Sequence, residues 1–189
     1  MYLIRKIKNN YLLKYIAHFF IRRAENRIGA HLDYVHHIAD ADVGLLFLYN
    51  KIFSFLNPNR KVPALAYHTA RLRGAIAADC GTCVEAEINL ARNSGIDHAF
   101  IDHIVSGDLK ALPPEISAVV SLSDAVTGQK SDDAEAREII RNAFGEAGLI
   151  EISLAMNGAA LPPGIKRALG FATSCDIELI RKFAKQGNV

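Results

Sequence analysis

Residues 67–90 read YHTARLRGAIAADCGTCVEAEINL, and this stretch decides how the rest of the chain is folded. Cys80 and Cys83 form a C-x-x-C pair. After them Cys83, Ala86, Glu87 and Leu90 recur every three or four residues, the spacing of one helical face. The pair therefore stands near a helix start, in polar surroundings (Asp79, Gly81, Thr82) that suit one. Backbone N–H groups have no intrahelical acceptor there and the macrodipole is positive, so a thiol ionises below its usual ~8.5. Such a thiol is a nucleophile at neutral pH.

Helical signals continue on both sides. Pro63 suits the first turn of a helix over 64–77, and Gly95 ends the helix that carries the cysteines. Upstream, a basic amphipathic helix is predicted within 1–28 from Leu3, Ile7, Tyr11, Leu12, Tyr15, Ile16, Phe19 and Phe20. A second is predicted over 32–55, stopped by Asn57-Pro58-Asn59. Downstream, Asp97 caps a helix to Val105 that Ser106-Gly107 closes, and Pro113-Pro114 opens another through Val126. Asp132 with Glu135 has the form of a capping box, for a helix that ends at Phe144-Gly145. Two more are predicted over 146–160 and, after Pro162-Pro163, over 165–185. No segment sustains the period-2 alternation of a strand, so the predicted class is all-α, as a single domain over 1–189 with residues 60–105 as its motif-bearing core.

Composition narrows the functional classes. Half of the 189 residues are apolar and the net charge is +2. Six Lys/Arg and no acid fall within residues 1–23, and the remainder, with 16 Lys/Arg against 20 Asp/Glu, is mildly acidic. That balance gives no basis for a nucleic-acid surface. Lys14, His18 and Arg22-Arg23 interrupt the N-terminal apolar run, which is too short and too charged to span a bilayer and has no cleavage site of a signal peptide. Packing of this helix on the core or on another subunit is favoured over a membrane surface, which its unbroken positive charge keeps in view. Three cysteines, two in C-x-x-C, do not make a secreted disulfide framework; a reducing, cytoplasmic setting fits better.

The same spacing serves redox thiols, zinc knuckles and iron–sulfur sites. An iron–sulfur cluster lacks cysteines here, since the remaining one, Cys175, stands alone in a distant helix and reads as packing. Zinc has no second C-x-x-C or His pair; a mixed site of Cys80, Cys83, His68 and Glu87 is the alternative left to it. Two inert buried cysteines, or a non-enzymatic helical oligomer, are the plainer alternatives.

The Arg-containing helix over 67–78, leading into Asp79-Cys80-Gly81-Thr82-Cys83 and then Asn89-Leu90-Ala91-Arg92 and Gly95-Ile96-Asp97, resembles the AhpD-like alkylhydroperoxidases of the carboxymuconolactone decarboxylase superfamily. The resemblance covers about residues 60–105. It implies a helical homo-oligomer that reduces hydroperoxides without a cofactor or metal, reset by an external dithiol or thioredoxin-like reductant. It further implies that Cys83 attacks the peroxide and Cys80 resolves the sulfenic acid as a disulfide. The family's redox members carry a Glu twelve residues before the first cysteine and a His four after the second; here those places hold His68 and Glu87, the same types exchanged.

The exchange predicts a His68–Glu87 pair that prepares Cys83. Glu87 shares a helical face with Cys83, and a carboxylate alone would oppose ionisation of the thiol, so the histidine must stand between them as base or imidazolium neighbour. This requires the chain to turn near Asp79. An unbroken helix would hold His68 ~18 Å from Cys80. His36-His37, with Asp33, Asp40 or Asp42, are further candidates for lining the pocket.

Overall fold

The computed structural model describes residues 11–55, 61–174 and 176–185, and among them all regular structure is helical. The all-α class is therefore shown. Residues 1–10, the stop at Asn57-Pro58-Asn59 and Cys175 lie outside the described residues. The chain divides into two compact units, Met1–Phe55 and Leu56–Val189.

The first unit contains α1 (Tyr11–Ile28), α2 (Asp33–Ala41) and α3 (Val43–Phe55). The single helix expected over 32–55 is thus two. Asp42 separates them: its backbone is extended, and its carboxylate accepts the Gly44 N–H at 2.7 Å, so it closes one helix and starts the next. The continuous apolar run beyond it hides this local competition from a periodicity reading. Tyr34 of α2 and Tyr49 of α3 meet edge to face with their hydroxyls hydrogen-bonded. α1 is tied down by polar groups. His18 bonds Asp40 at 2.8 Å and stacks on His36 at 4.8 Å, and Glu25 accepts the Leu32 N–H at 2.7 Å.

The second unit runs through α4 (Ala64–Ala77), α5 (Gly81–Asn93), α6 (His98–Ser106), a 3-10 turn (Leu109–Ala111) and α7 (Pro114–Ser123). α7 passes into a π-helical turn (Asp124–Gln129), and α8 (Ala134–Ala168) and α9 (Ile177–Lys185) follow. At its centre, α4 is buried without interruption from Ala66 to Leu72 and again at Gly74 and Ala75. A helix covered on all sides needs small residues. At Gly74 a Cβ would lie 2.1 Å from the Met156 carbonyl oxygen, so here the backbones of α4 and α8 touch. Leu72, Ile88, Ile104, Ile140 and Ile152 belong to the buried core of this unit. Glu151 of α8, buried, accepts the N–H groups of Lys61 and Val62 at 2.7 and 2.9 Å and so fixes the entry to α4.

Several local signals act as expected. Asp97 accepts the Ala99 N–H at 2.7 Å, Gly107 takes the left-handed conformation that ends α6, and Gly145 breaks the helical path of α8. Two do not. The cap of α8 is Asp133, which accepts the Ala136 N–H at 2.9 Å, while Asp132 pairs with Arg137. And Pro162-Pro163 do not end the helix, which continues to Ala168. Each proline forfeits one backbone bond, but Pro163 is buried, and Lys166 and Arg167 anchor the next turn on Thr82 and on the carbonyls of Ala78 and Asp79. The chain leaves the helix at Gly170 (φ 80°), so the helix expected over 165–185 is in fact a helix end, a loop and α9.

Candidate functional site

α4 and α5 form an antiparallel hairpin that turns at Ala78-Asp79-Cys80, with Asp79 in the left-handed region (φ 50°). Arg167 holds this turn by donating to the Ala78 and Asp79 carbonyls at 2.9 and 2.8 Å. Cys80 is then the N-cap residue of α5 and is fully buried; Cys83, one turn on, is partly exposed, and both are free thiols. From the side, the loop after α8 closes over the pair. The Gly81 N–H donates to the Thr173 carbonyl at 3.3 Å, and a Cβ at Gly81 would stand 2.9 Å from the Ser174 carbonyl oxygen. Only glycine fits under that strand of backbone.

The two sulfurs share a proton unequally. The Cys83 thiol donates to Cys80, and this bond, against the opposing effect of burial, brings Cys80 down to about 5, with Thr82 and the charge of Lys166 adding to the effect. The Thr82 hydroxyl lies 3.7 Å from the Cys80 sulfur, and in turn receives a hydrogen bond from Lys166, a buried lysine of α8. Cys83 is pushed up, first because it is the donor to Cys80, then by burial and by the negative charge of Cys80. Acidity thus resides at Cys80 and accessibility at Cys83. The helix start favours ionisation of the residue nearer to it, Cys80.

The His68–Glu87 pair is not formed. Both oxygens of Glu87 accept from Arg71, Nε to Oε2 and Nη2 to Oε1, each at 2.7 Å, and Arg71 Nη1 donates to the Tyr67 hydroxyl at 3.1 Å. Burial disfavours the charged guanidinium, but Glu87 outweighs it and holds Arg71 above its ordinary value. His68 sits farther up the hairpin, with Nε2 2.8 Å from the Ser94 hydroxyl. Since that hydroxyl donates to the Leu90 carbonyl at 3.0 Å, Nε2 carries the hydrogen and Nδ1 is the bare nitrogen, which is buried with no hydrogen-bond partner. Burial pulls His68 down to about 4, the opposed charges of Glu87 and Arg71 adding less, so it is neutral at pH 7 and is no imidazolium neighbour. Ser94 lies eleven residues beyond Cys83 along α5, ~16 Å at helical rise. The turn at Asp79 exists as expected; the register places Arg71, not His68, opposite Glu87.

Four groups therefore converge at the closed end of the hairpin: Cys80, Cys83, Thr82 and Lys166, with Glu87, Arg71 and Tyr67 one turn farther along. Sequence reasoning missed Arg71, though Tyr67 and Arg71 stand four apart on the helix it quoted. It missed Lys166 for want of any local signal, because only the packing of α8 brings that residue to the pair. The mixed zinc site is not assembled. Glu87 and His68 are engaged elsewhere, and among the described residues no three His, Cys, Asp or Glu side chains gather so as to hold a metal ion. His36 bonds within the first unit, to His18 and Glu25. Among the described residues no helix is long and apolar enough to cross a membrane. No family model, no curated protein and no solved structure matches this chain.

Proposed function

We propose that the chain is a dithiol peroxidase of the AhpD-like kind, cycling Cys80 and Cys83 between dithiol and disulfide. The observation that carries this reading is a pair of free thiols one turn apart at the helix start, Cys80 buried and Cys83 partly exposed, with the Thr82 hydroxyl 3.7 Å from the Cys80 sulfur and itself bonded by buried Lys166. Inert packing cysteines need no such hydroxyl and no buried cation. The resemblance over residues 60–105 supports the same activity.

The Cys83 proton passes to Cys80 along their hydrogen bond while the accessible Cys83 sulfur attacks the terminal oxygen of a hydroperoxide. The O–O bond breaks, the alkoxide leaves and takes a proton from water, and Cys83 becomes a sulfenic acid. Cys80 then passes this proton to the departing hydroxyl as its sulfur attacks the Cys83 sulfur: the S–S bond forms, the S–O bond breaks and water leaves, while the hydroxide left by the alkoxide is neutralised by the proton that Cys80 gave to solvent on ionising. One dithiol and one hydroperoxide give one disulfide, one alcohol and one water, and an external dithiol returns the two electrons by thiol–disulfide exchange.

Peroxide treatment of Cys80→Ser should trap a sulfenic acid on Cys83. Trapping on Cys80 in Cys83→Ser, with none in the converse variant, would reverse the roles; trapping in neither would remove the activity. Glu87 acts in this reading through Arg71, holding α5 against α4 one turn from the reacting sulfur, and His68 is a structural residue.

A further inference from the structure

α1 presents its apolar side outward. Tyr11, Leu12, Tyr15, Ile16, Phe19 and Phe20 are all exposed, Tyr11 by 85%, Tyr15 by 73% and Phe20 by 62%. The polar residues Lys14, His18 and Glu25 occupy the side turned toward the rest of its unit. There Lys14 donates to the Asp40 carbonyl at 2.5 Å, His18 bonds Asp40 and Glu25 accepts the Leu32 N–H. A helix that packs on a core does the reverse. Within its own unit this apolar face packs on nothing.

The charge on the same face says what would cover it. Angles of 100° per residue place Arg22 and Arg23 in line with the apolar stripe, about one turn farther on, and both are exposed. The helix's one acid, Glu25, is on the opposite side. The outward face is thus apolar, aromatic and cationic with no carboxylate. We infer that α1 docks this face onto an anionic lipid bilayer, with its rings at the boundary between headgroups and chains and its arginines on the phosphates and carboxylates. A second copy fits less well, because a two-fold interface sets the same face on both sides and offers no acid to answer the arginines. The cationic stretch extends through residues 1–23, which hold six Lys/Arg and no acid.

The test is co-sedimentation of the full chain with phosphatidylcholine vesicles, with and without phosphatidylserine. Binding should require phosphatidylserine and weaken with salt. Arg22→Gln with Arg23→Gln should weaken it roughly 20-fold, and Phe19→Glu with Phe20→Glu should abolish it. All four side chains are exposed, so helicity and melting temperature should not change. The chain has no tryptophan; Phe19→Trp therefore supplies a sole indole whose emission should shift to the blue on phosphatidylserine vesicles alone. No sedimentation at low salt, or variants that bind like the wild type, would overturn the inference. So would a dimer that the Phe19→Glu, Phe20→Glu protein fails to form while vesicles bind neither protein, which would make the face a subunit interface.

Discussion

The two ends of the α4–α5 hairpin use similar polar residues to opposite effect. At the closed end, Cys80 and Cys83 share a proton beside Thr82 and Lys166, and burial there is offset by a donor and a cation that favour the thiolate. At the open end, His68 bonds Ser94 and packs edge to face on Tyr67, and burial outweighs the charge of Glu87 and keeps it neutral. Between them the Arg71–Glu87 pair joins the helices. The lesson is that burial alone does not activate a group; what matters is which charge state its neighbours bond.

The largest effect should come from the joint between the two ends. Glu87→Ala leaves Arg71 buried without its carboxylate and should cost ~3–5 kcal/mol in denaturant unfolding. A loss below ~1 kcal/mol would mean that the pair is no structural clamp. Next comes the open end. The folded His68 value, about 4, lies below the 6.5 of the unfolded chain, so the unfolded state binds a proton that the folded state refuses. Stability should therefore be full above pH 6.5 and fall as the pH drops toward 4, by roughly 3 kcal/mol. In His68→Gln that part of the acid dependence should vanish. Equal acid slopes in both proteins would place the imidazole in water.

At the closed end, Gly81→Ala should cost ~1–3 kcal/mol, because the new Cβ presses on the Ser174 carbonyl. Unchanged stability and unchanged thiol accessibility would show that the loop does not close over the pair. Lys166→Met should raise the Cys80 pKa, read as ultraviolet thiolate absorbance against pH, with a smaller effect on stability. His68→Gln should leave that titration curve where it is. An effect of His68→Gln equal to that of Lys166→Met would restore the histidine to the site.

Much of this was legible in the residues. Gly95, Asp97, Gly107 and Gly145 mark helix ends by chemistry that acts within a few residues, and C-x-x-C at a helix start needs only its own neighbours. Asp42 was hidden because a single cap outcompeted an apolar run of the right period. Pro162-Pro163 misled because contacts made by Lys166 and Arg167, far along the chain, hold the helix through them. The register of the hairpin was illegible for the same reason. A turn at Asp79 is a local matter, but whether Glu87 faces Arg71 or His68 depends on how two helices slide, which side-chain types at fixed spacing do not specify. Lys166 lies beyond any pattern centred on the cysteines.

If Cys83 and Lys166 together hold a thiolate on Cys80 at neutral pH, the ultraviolet thiolate absorbance measured against pH in a Cys175→Ser background, with and without Cys83→Ser, will report it. One thiolate should titrate near pH 5 when both cysteines are present and move well upward when Cys83 no longer donates. A protein with no thiolate below pH ~8, or a Cys83→Ser curve that superimposes on its parent, would contradict it.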